Sequence, residues 1–239
     1  MPLALPVERV DGAGFAFTSR AGGVSAAPYD SLNLGDHVGD DPAAVLENRR
    51  RVAQSLGVRN LVVATQVHGT DVVEVTGDWP GAAPEADALV TRIPGLALGV
   101  LVADCTPVLL AAPVEGVVGV AHAGRQGMAA GVVHALVEAM RDLGARSLVG
   151  RVGPSICPRC YEVPADLREQ VAADVPVARS VTRSGTPALD VAGGVLEQLA
   201  PYVPDLQQLP GCTAERADLF SYRRDGVTGR SAGLVWLTG

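Results

Sequence analysis

"LVADCTPVLLAAPVEGVVGVAHAGRQG", residues Leu101 to Gly127, contains two near-continuous runs of Val, Leu and Ala. Apolar runs this short and this unbroken read as buried strands. Buried strands normally exclude Asp, Cys and His together. Here Asp104 and Cys105 stand at the edge of the first run, and His122 follows seventeen positions after Cys105, flanked by small residues. The ends of strands are where an α/β scaffold places reactive side chains. This one stretch therefore suggests both a sheet core and a site at its rim.

The flanking sequence extends the sheet. "LVVATQVHG", "DVVEV", "ADALVT" and "LALGVLVAD" read as strands separated by Gly and Pro turns. "DPAAVLENRRRVAQSLG" reads as a helix: Asp41 can cap it, Pro42 suits its first turn, Val45, Leu46, Val52, Ala53 and Leu56 share a face, and Gly57 ends it. "GMAAGVVHALVEAMRDLGA" reads as a second helix with Val133, Leu136, Val137 and Met140 inward; "PADLREQVAAD" and "DVAGGVLEQLAPYV" read as two more. "SYRRDGVTGRSAGLVWL" reads as a hairpin or extended pair about Asp225-Gly226. Strands follow one another without intervening helices. The expected fold is therefore α+β, a layered α/β sandwich with mixed sheets rather than a doubly wound parallel sheet. Its 239 residues suit one large domain spanning 1–239.

Composition narrows the chemistry. All 19 basic side chains are arginine, so lysine Schiff bases, P-loop lysines and lysine general bases are excluded. Any phosphate must be held by arginine, backbone N–H groups or a metal. A net charge of −7 argues against a nucleic-acid partner. "MPLALPVERV" lacks the charged and apolar regions of a signal peptide, and "PGLALGVLVA" is too short to span a bilayer. The expectation is a cytoplasmic protein without a membrane partner. Cys105, Cys157, Cys160 and Cys212 are then thiols or metal ligands.

Of four histidines, His134 falls inside a helix and reads as structural, while His37 lies in the glycine-rich "NLGDHVGDDP" and suits loop bonding or a site wall equally. His68 in "TQVHGTD" and His122 in "VAHAGRQG" each end a strand just before glycine, and Cys105 holds the matching place in "VADCTP". Two readings stand open: three unrelated polar groups, or a His2Cys metal site with an open fourth position. The intervals match no short zinc motif. "CPRC", Cys157 to Cys160, lacks the second CxxC of a zinc ribbon and the strand-to-helix setting of a thioredoxin motif; it reads as a loop lining the site.

Seven motifs in order carry a resemblance. "TSRAGGVSAAPYDSLNLGDHVGDDPAAVLENRR", "QVHGTDV", "ADALVT", "ADCTPVLL", "VAHAGRQG", "GPSICPRCYEV" and "FSYRRDGVTGR" resemble the YfiH family, also called the laccase-domain or polyphenol-oxidase family, with peptidoglycan editing factors and FAMIN-type purine nucleoside enzymes among its members. The resemblance implies a single-domain sandwich with zinc held by His68, Cys105 and His122, which would also be the catalytic residues. It implies phosphorolysis of adenosine, inosine and methylthioadenosine, with adenosine deamination at the same site. Purine nucleosides and phosphate would be the ligands.

Two departures bear on this. Where the family usually reads HAGWRG, this chain has Arg125-Gln126; where it usually reads GPSIGPCCYEV, Cys157 replaces glycine and Arg159 replaces a cysteine. Arg125, at the start of the expected helix, and Arg49 become the candidate phosphate-binding residues. Asp104 and Glu162 are candidate proton carriers, with loop hydrogen bonding as the plainer role for each. A copper-dependent, laccase-like oxidase is the first rival. His2Cys copper usually wants an axial ligand such as Met, and four histidines are too few for a multicopper centre, so bound copper would be adventitious. A metal-free Cys105–His122 amidase or hydrolase acting in peptidoglycan editing is the second rival, and a non-enzymatic cell-division or envelope partner the third.

Overall fold

A computed structural model of the chain describes residues 3, 5–77 and 82–238. Met1, Pro2 and Ala4 of the segment read for a leader lie outside the described residues. In chain order the elements are β1 (Val7–Val10), β2 (Ala13–Phe17), α1 (Pro42–Leu56), β3 (Asn60–Val63), β4 (Val72–Glu74), β5 (Ala88–Thr91) and β6 (Leu96–Val102). There follow β7 (Thr106–Ala112), β8 (Val117–Ala123), α2 (Arg125–Ala130), α3 (Val132–Asp142), β9 (Val149–Val152) and α4 (Ala165–Asp174). The chain closes with β10 (Arg179–Val181), β11 (Pro187–Leu189), α5 (Val191–Leu199), β12 (Asp205–Gln208), α6 (Tyr222–Asp225) and β13 (Ser231–Leu237).

Two mixed sheets result. One has the order β1-β2-β13-β6-β3, with only β3 and β6 parallel; the other runs β12-β9-β7-β8-β5-β4, with parallel pairs at both edges. Strands β6, β7, β8 and β13 are buried along their whole length, which explains why their sequences show no alternation. Phe15, Leu98, Val100 and Val235 of the first sheet pack on Leu89, Leu109, Val118 and Val120 of the second. α1 covers the outer face of the first sheet, where Val52 and Leu56 meet Leu101, Leu234 and Trp236. α3, α4 and α5 cover the outer face of the second. The layers are helix, sheet, sheet, helix, the α+β sandwich expected from the strand spacing.

The α1 ends match their sequence signals. The Asp41 carboxylate accepts from Ala43 N at 3.0 Å, and Gly57 takes the left-handed conformation at φ 70°. Its inward face differs from the expected one. Leu46 is 70% exposed, and the polar Asn48 is fully buried. Asn48 Nδ2 donates to Ser25 Oγ, Ser31 O and Asn33 O, while its Oδ1 accepts from Val24 N. The glycine-rich segment before α1 has few strands to satisfy it. A side-chain amide with both donor and acceptor does so from the helix.

Two other expectations are corrected. The single helix read from Gly127 to Ala145 is two, α2 and α3, because Gly131 sits at φ 95° and closes α2 after six residues. The segment about Asp225-Gly226 is no hairpin: Ser221 caps α6 by accepting from Arg224 N, Gly226 ends it, and only β13 is extended. Val133, Leu136, Val137 and Met140 do face the core. Asn48→Ala is expected to lower stability by about 3 kcal/mol, because several buried partners lose their bonds together. Urea unfolding checks this; a change below about 0.5 kcal/mol would mean that the loop is held otherwise.

Candidate functional site: a thiol and two imidazoles at the sheet rim

The antiparallel register of β7 and β8 sets Pro107 opposite His122 and Thr106 opposite Ala123, so Cys105 arrives beside His122. His68 comes from the loop that follows β3. One ligand-type atom from each of His68, Cys105 and His122 lies within 4.8 Å of the others. Cys105 Sγ and His68 Nε2 are 3.9 Å apart, and the two imidazoles meet edge to face at 4.8 Å between centroids. His122 is inside its strand, Cys105 precedes one, and His68 is five residues past one. The structure thus brings together all three residues singled out by the sequence, though not all at strand ends.

Asp87, absent from the sequence-based candidates, organises them. It is 1% exposed, and its carboxylate accepts from the backbone N–H groups of Val67 at 3.1 Å, His68 at 3.0 Å and Gly69 at 2.6 Å. It also bonds His122 Nδ1 at 2.8 Å, leaving His122 Nε2 to face the cluster. The three N–H bonds hold His68 at φ 62°, a conformation that costs a non-glycine residue about 1–2 kcal/mol. Burial alone would raise the Asp87 carboxyl, but bonds from His122 and Gly69, the His122 charge and the Val67 bond together hold it below its ordinary value.

The thiol and imidazole polarise each other. Burial opposes ionisation at Cys105, yet the His122 charge, its hydrogen bond and His68 outweigh it and bring the thiol to about 6. Burial likewise disfavours charged His122, but Cys105 and Asp87 raise it to about 9. The metal-free site is a thiolate–imidazolium pair oriented by a carboxylate. Gly124 is required by close approach: a Cβ there would lie 2.7 Å from His68 Cδ2 and 3.3 Å from Cys105 Sγ.

A cavity of about 280 Å³ opens beside the cluster, walled by Asp104, Cys105, Gly124, Arg125, Ile156, Tyr161, Tyr222 and Arg223, among others. This is near the lower end of ligand pockets, about 300 Å³. Arg125 is half-buried on that wall and has no ion pair or hydrogen bond among the described residues. Arg49 is not on it: Nε donates to Leu34 O at 2.9 Å and Nη2 pairs with Asp36 at 3.2 Å. Asp104, at φ 95°, accepts from Thr213 Oγ1, Ser221 Oγ and Arg223 N, so its carboxylate is already engaged as the brace of the far wall. Glu162 is exposed and outside the lining. His37 is exposed beside Asp36, and His134 is exposed on α3 against Tyr202. Neither joins the cluster. Tyr161, Tyr222 and Arg223 were missed as individuals, although they lie inside two of the quoted motifs. Their position depends on loops that no periodicity describes.

The "CPRC" loop does supply Ile156 and Tyr161 to the cavity. Its cysteines lie in a second group with Cys212 and Glu215.

Two packed mixed sheets with a possible metal-binding Cys/His cluster at their rim define the class as an α+β sandwich of laccase-domain type. Residues 14–238 match the family described as multi-copper polyphenol oxidoreductase laccase, and the chain belongs to this YfiH, or laccase-domain, family. It is 59% identical over 232 residues to the purine nucleoside phosphorylase ORF3 of Streptomyces griseus, covering 94% of each chain. It is 39% identical over 227 residues to the purine nucleoside phosphorylase YfiH of Escherichia coli, covering 92% of each. Among solved structures it resembles Neisseria meningitidis protein NMB0706, with a TM-score of 0.88 at 34% identity over 99% of this chain and 100% of that one. It also resembles YlmD of Geobacillus stearothermophilus, with a TM-score of 0.85 at 35% identity over 95% and 93%. Among the described residues no helix is long and apolar enough to cross a membrane.

Replacing Asp87 by Asn removes one of the two charges, after that of Cys105, that raise His122. In metal-free Asp87→Asn the imidazole is expected to titrate below the value of about 9, and any affinity of the cluster for a divalent metal ion to fall about 10–100-fold. Histidine NMR titration and chelator competition read the two effects. Unchanged values in both would reduce Asp87 to a loop brace.

Proposed function

We propose that His68, Cys105 and His122 hold zinc and that the chain is a zinc-dependent purine nucleoside phosphorylase with adenosine deaminase activity. The observation that carries this reading is a three-ligand cluster set beside a cavity whose wall presents an uncommitted arginine. The names of the relatives support the nucleoside class. Two imidazoles and a thiolate suit zinc, and three protein ligands leave one position open. A zinc ion there would supply Lewis-acid chemistry and a water acidified towards about pH 7.

The chain's own residues divide the remaining tasks. Tyr161 and Tyr222 offer aromatic surface against which a purine can pack. Arg125 offers a two-pronged guanidinium to phosphate, which must approach C1′ of the ribose as the purine leaves. The short α2 contributes little field at its N-terminus, so the arginine carries this task. The Asp104 carboxylate is committed and Glu162 is exposed outside the lining, so the purine nitrogen receives its proton from solvent or the cluster side. The copper-oxidase rival meets a shortage of histidines, since among the described residues His37 and His134 stand apart from the group. The Cys105–His122–Asp87 alignment favours a second reading, a thiol hydrolase. That reading requires neither His68 nor metal.

Three outcomes test the proposal. His68→Ala and Cys105→Ala should each remove the cluster's zinc and all nucleoside turnover; activity of His68→Ala in the presence of a chelator would favour the hydrolase instead. Arg125→Ala should raise the phosphate concentration needed for inosine cleavage about 10–100-fold, with zinc content and adenosine deamination intact. A parallel fall of deamination would assign Arg125 to the nucleoside or the fold. Zinc uptake should also depend on pH. With the thiol at about 6 and the imidazole at about 9, Cys105 is ionised and His122 protonated at about pH 7.5, so zinc displaces about one His122 proton. Below the thiol value a second proton must leave, and affinity falls as pH falls. Calorimetry in buffers of different ionisation enthalpy counts the protons.

A further inference from the structure

Away from the His68–Cys105–His122 cluster, two turns of equal length face each other. In the first, Cys160 N and Tyr161 N both donate to Cys157 O, which folds Cys160 back beside Cys157. In the second, Glu215 N and Arg216 N both donate to Cys212 O, which does the same for Glu215 and Cys212. The turns are joined side by side by a bridge between Ser155 and Cys212, with Thr213 N donating to Ser155 O. One ligand-type atom of each of Cys157, Cys160, Cys212 and Glu215 lies within 4.8 Å of the others. Cys160 Sγ is 3.3 Å and Cys157 Sγ 3.9 Å from Glu215 Oε1. Cys157 N donates to Cys212 Sγ at 3.3 Å. The second half that "CPRC" lacks in the sequence is therefore C-x-x-E, 52 positions further on, counted from Cys160 to Cys212.

We propose that Cys157, Cys160, Cys212 and Glu215 bind a second zinc ion in a closed, structural site. Zinc–sulfur bonds of about 2.3 Å and a zinc–oxygen bond of about 2.1 Å place tetrahedral ligand atoms about 3.5–3.8 Å apart. The widest separations, up to 4.8 Å, have to shorten by about 1 Å, and Cys160 Sγ, at 3.3 Å from Glu215 Oε1, has to draw back slightly. Three sulfurs and one carboxylate select zinc over the oxygen-seeking hard cations. Backbone N–H groups around a thiolate are the outer support such a site uses, and Cys157 N supplies one to Cys212. Arg183 Nη2, 2.6 Å from Glu215 Oε1, offsets the excess negative charge. Binding displaces the thiol protons to solvent, with no change of oxidation state.

This ion would pin two walls of the cavity. Ile156 and Tyr161 belong to the first turn's loop, and Arg223 lies over the Tyr161 ring. Thr213, next to Cys212, bonds the Asp104 carboxylate, which precedes Cys105. The inference is independent of the nucleoside reading.

Zinc analysis of protein purified under reducing conditions tests it, with expected contents of about two ions per chain. His68→Ala/Cys105→Ala should keep one ion, whose X-ray absorption spectrum shows three sulfurs at about 2.3 Å. Cys160→Ser/Cys212→Ser should keep the other. In the unmutated protein, alkylation mapped by mass spectrometry should spare Cys157, Cys160 and Cys212 until a strong chelator is added. This readout stands even if the variants fail to fold. No zinc in His68→Ala/Cys105→Ala that is folded, a Cys157–Cys160 disulfide in the reduced preparation, or alkylation of the three thiols indifferent to chelator would each overturn the proposal.

Discussion

Asp87 is the constraint on which the cluster depends. A carboxylate buried in a sheet sandwich is tolerable only when its oxygens are fully used. Here they are used by the backbone of three consecutive residues and by one imidazole. The first set fixes where the His68 loop lies against the sheet; the last fixes the tautomer and tilt of His122. One side chain thereby couples the loop after β3 to the strand β8, and neither histidine is placed without it. His122 N also donates to Asp87 O at 2.7 Å, so backbone and side chain reinforce the same alignment.

A second carboxylate repeats the device on the other wall. Asp104 takes two hydroxyls and a backbone N–H from the segment 213–223 while its own carbonyl accepts from Ile156 N. Among the described residues, three non-glycine positions have positive φ, and His68 and Asp104 are two of them. Strain persists where surrounding bonds over-determine it. His68 belongs to the cluster and Asp104 precedes its Cys105, and both are held by carboxylate bonding rather than by regular secondary structure. The sheets supply a rigid base, and the two aspartates attach irregular loops to it.

The absence of lysine gives this site a particular character. Its permanent cations are planar guanidiniums that stay charged at any working pH. Arg223 is occupied by Glu162 O and the Tyr161 ring, and Arg49 bonds Leu34 O through Nε, while its buried Nη2 lies 3.2 Å from Asp36 without a hydrogen bond. Arg125 alone of the cavity's arginines is uncommitted among the described residues.

Local rules made much of this legible before the structure. The unbroken apolar runs gave the buried strands, their crowding gave mixed sheets, and Asp41, Pro42 and Gly57 gave α1, because burial and capping act within a few residues. Histidines and a cysteine beside small residues marked the cluster. What escaped depended on partners distant in sequence. Asp87 reads as one acidic residue before a strand until β5 is laid beside β8. Asn48 reads as a polar break in an apolar face until the loop before α1 folds over it, and Leu46 then has nothing to cover. Gly131 is an ordinary helix residue by pattern and a helix end by conformation. The CxxC seemed incomplete because its partner turn, Cys212 to Glu215, pairs with it only through tertiary bridging. Composition and periodicity determined the layers; hydrogen bonds across the fold decided which polar groups meet, since a buried donor or acceptor takes whatever partner the topology brings.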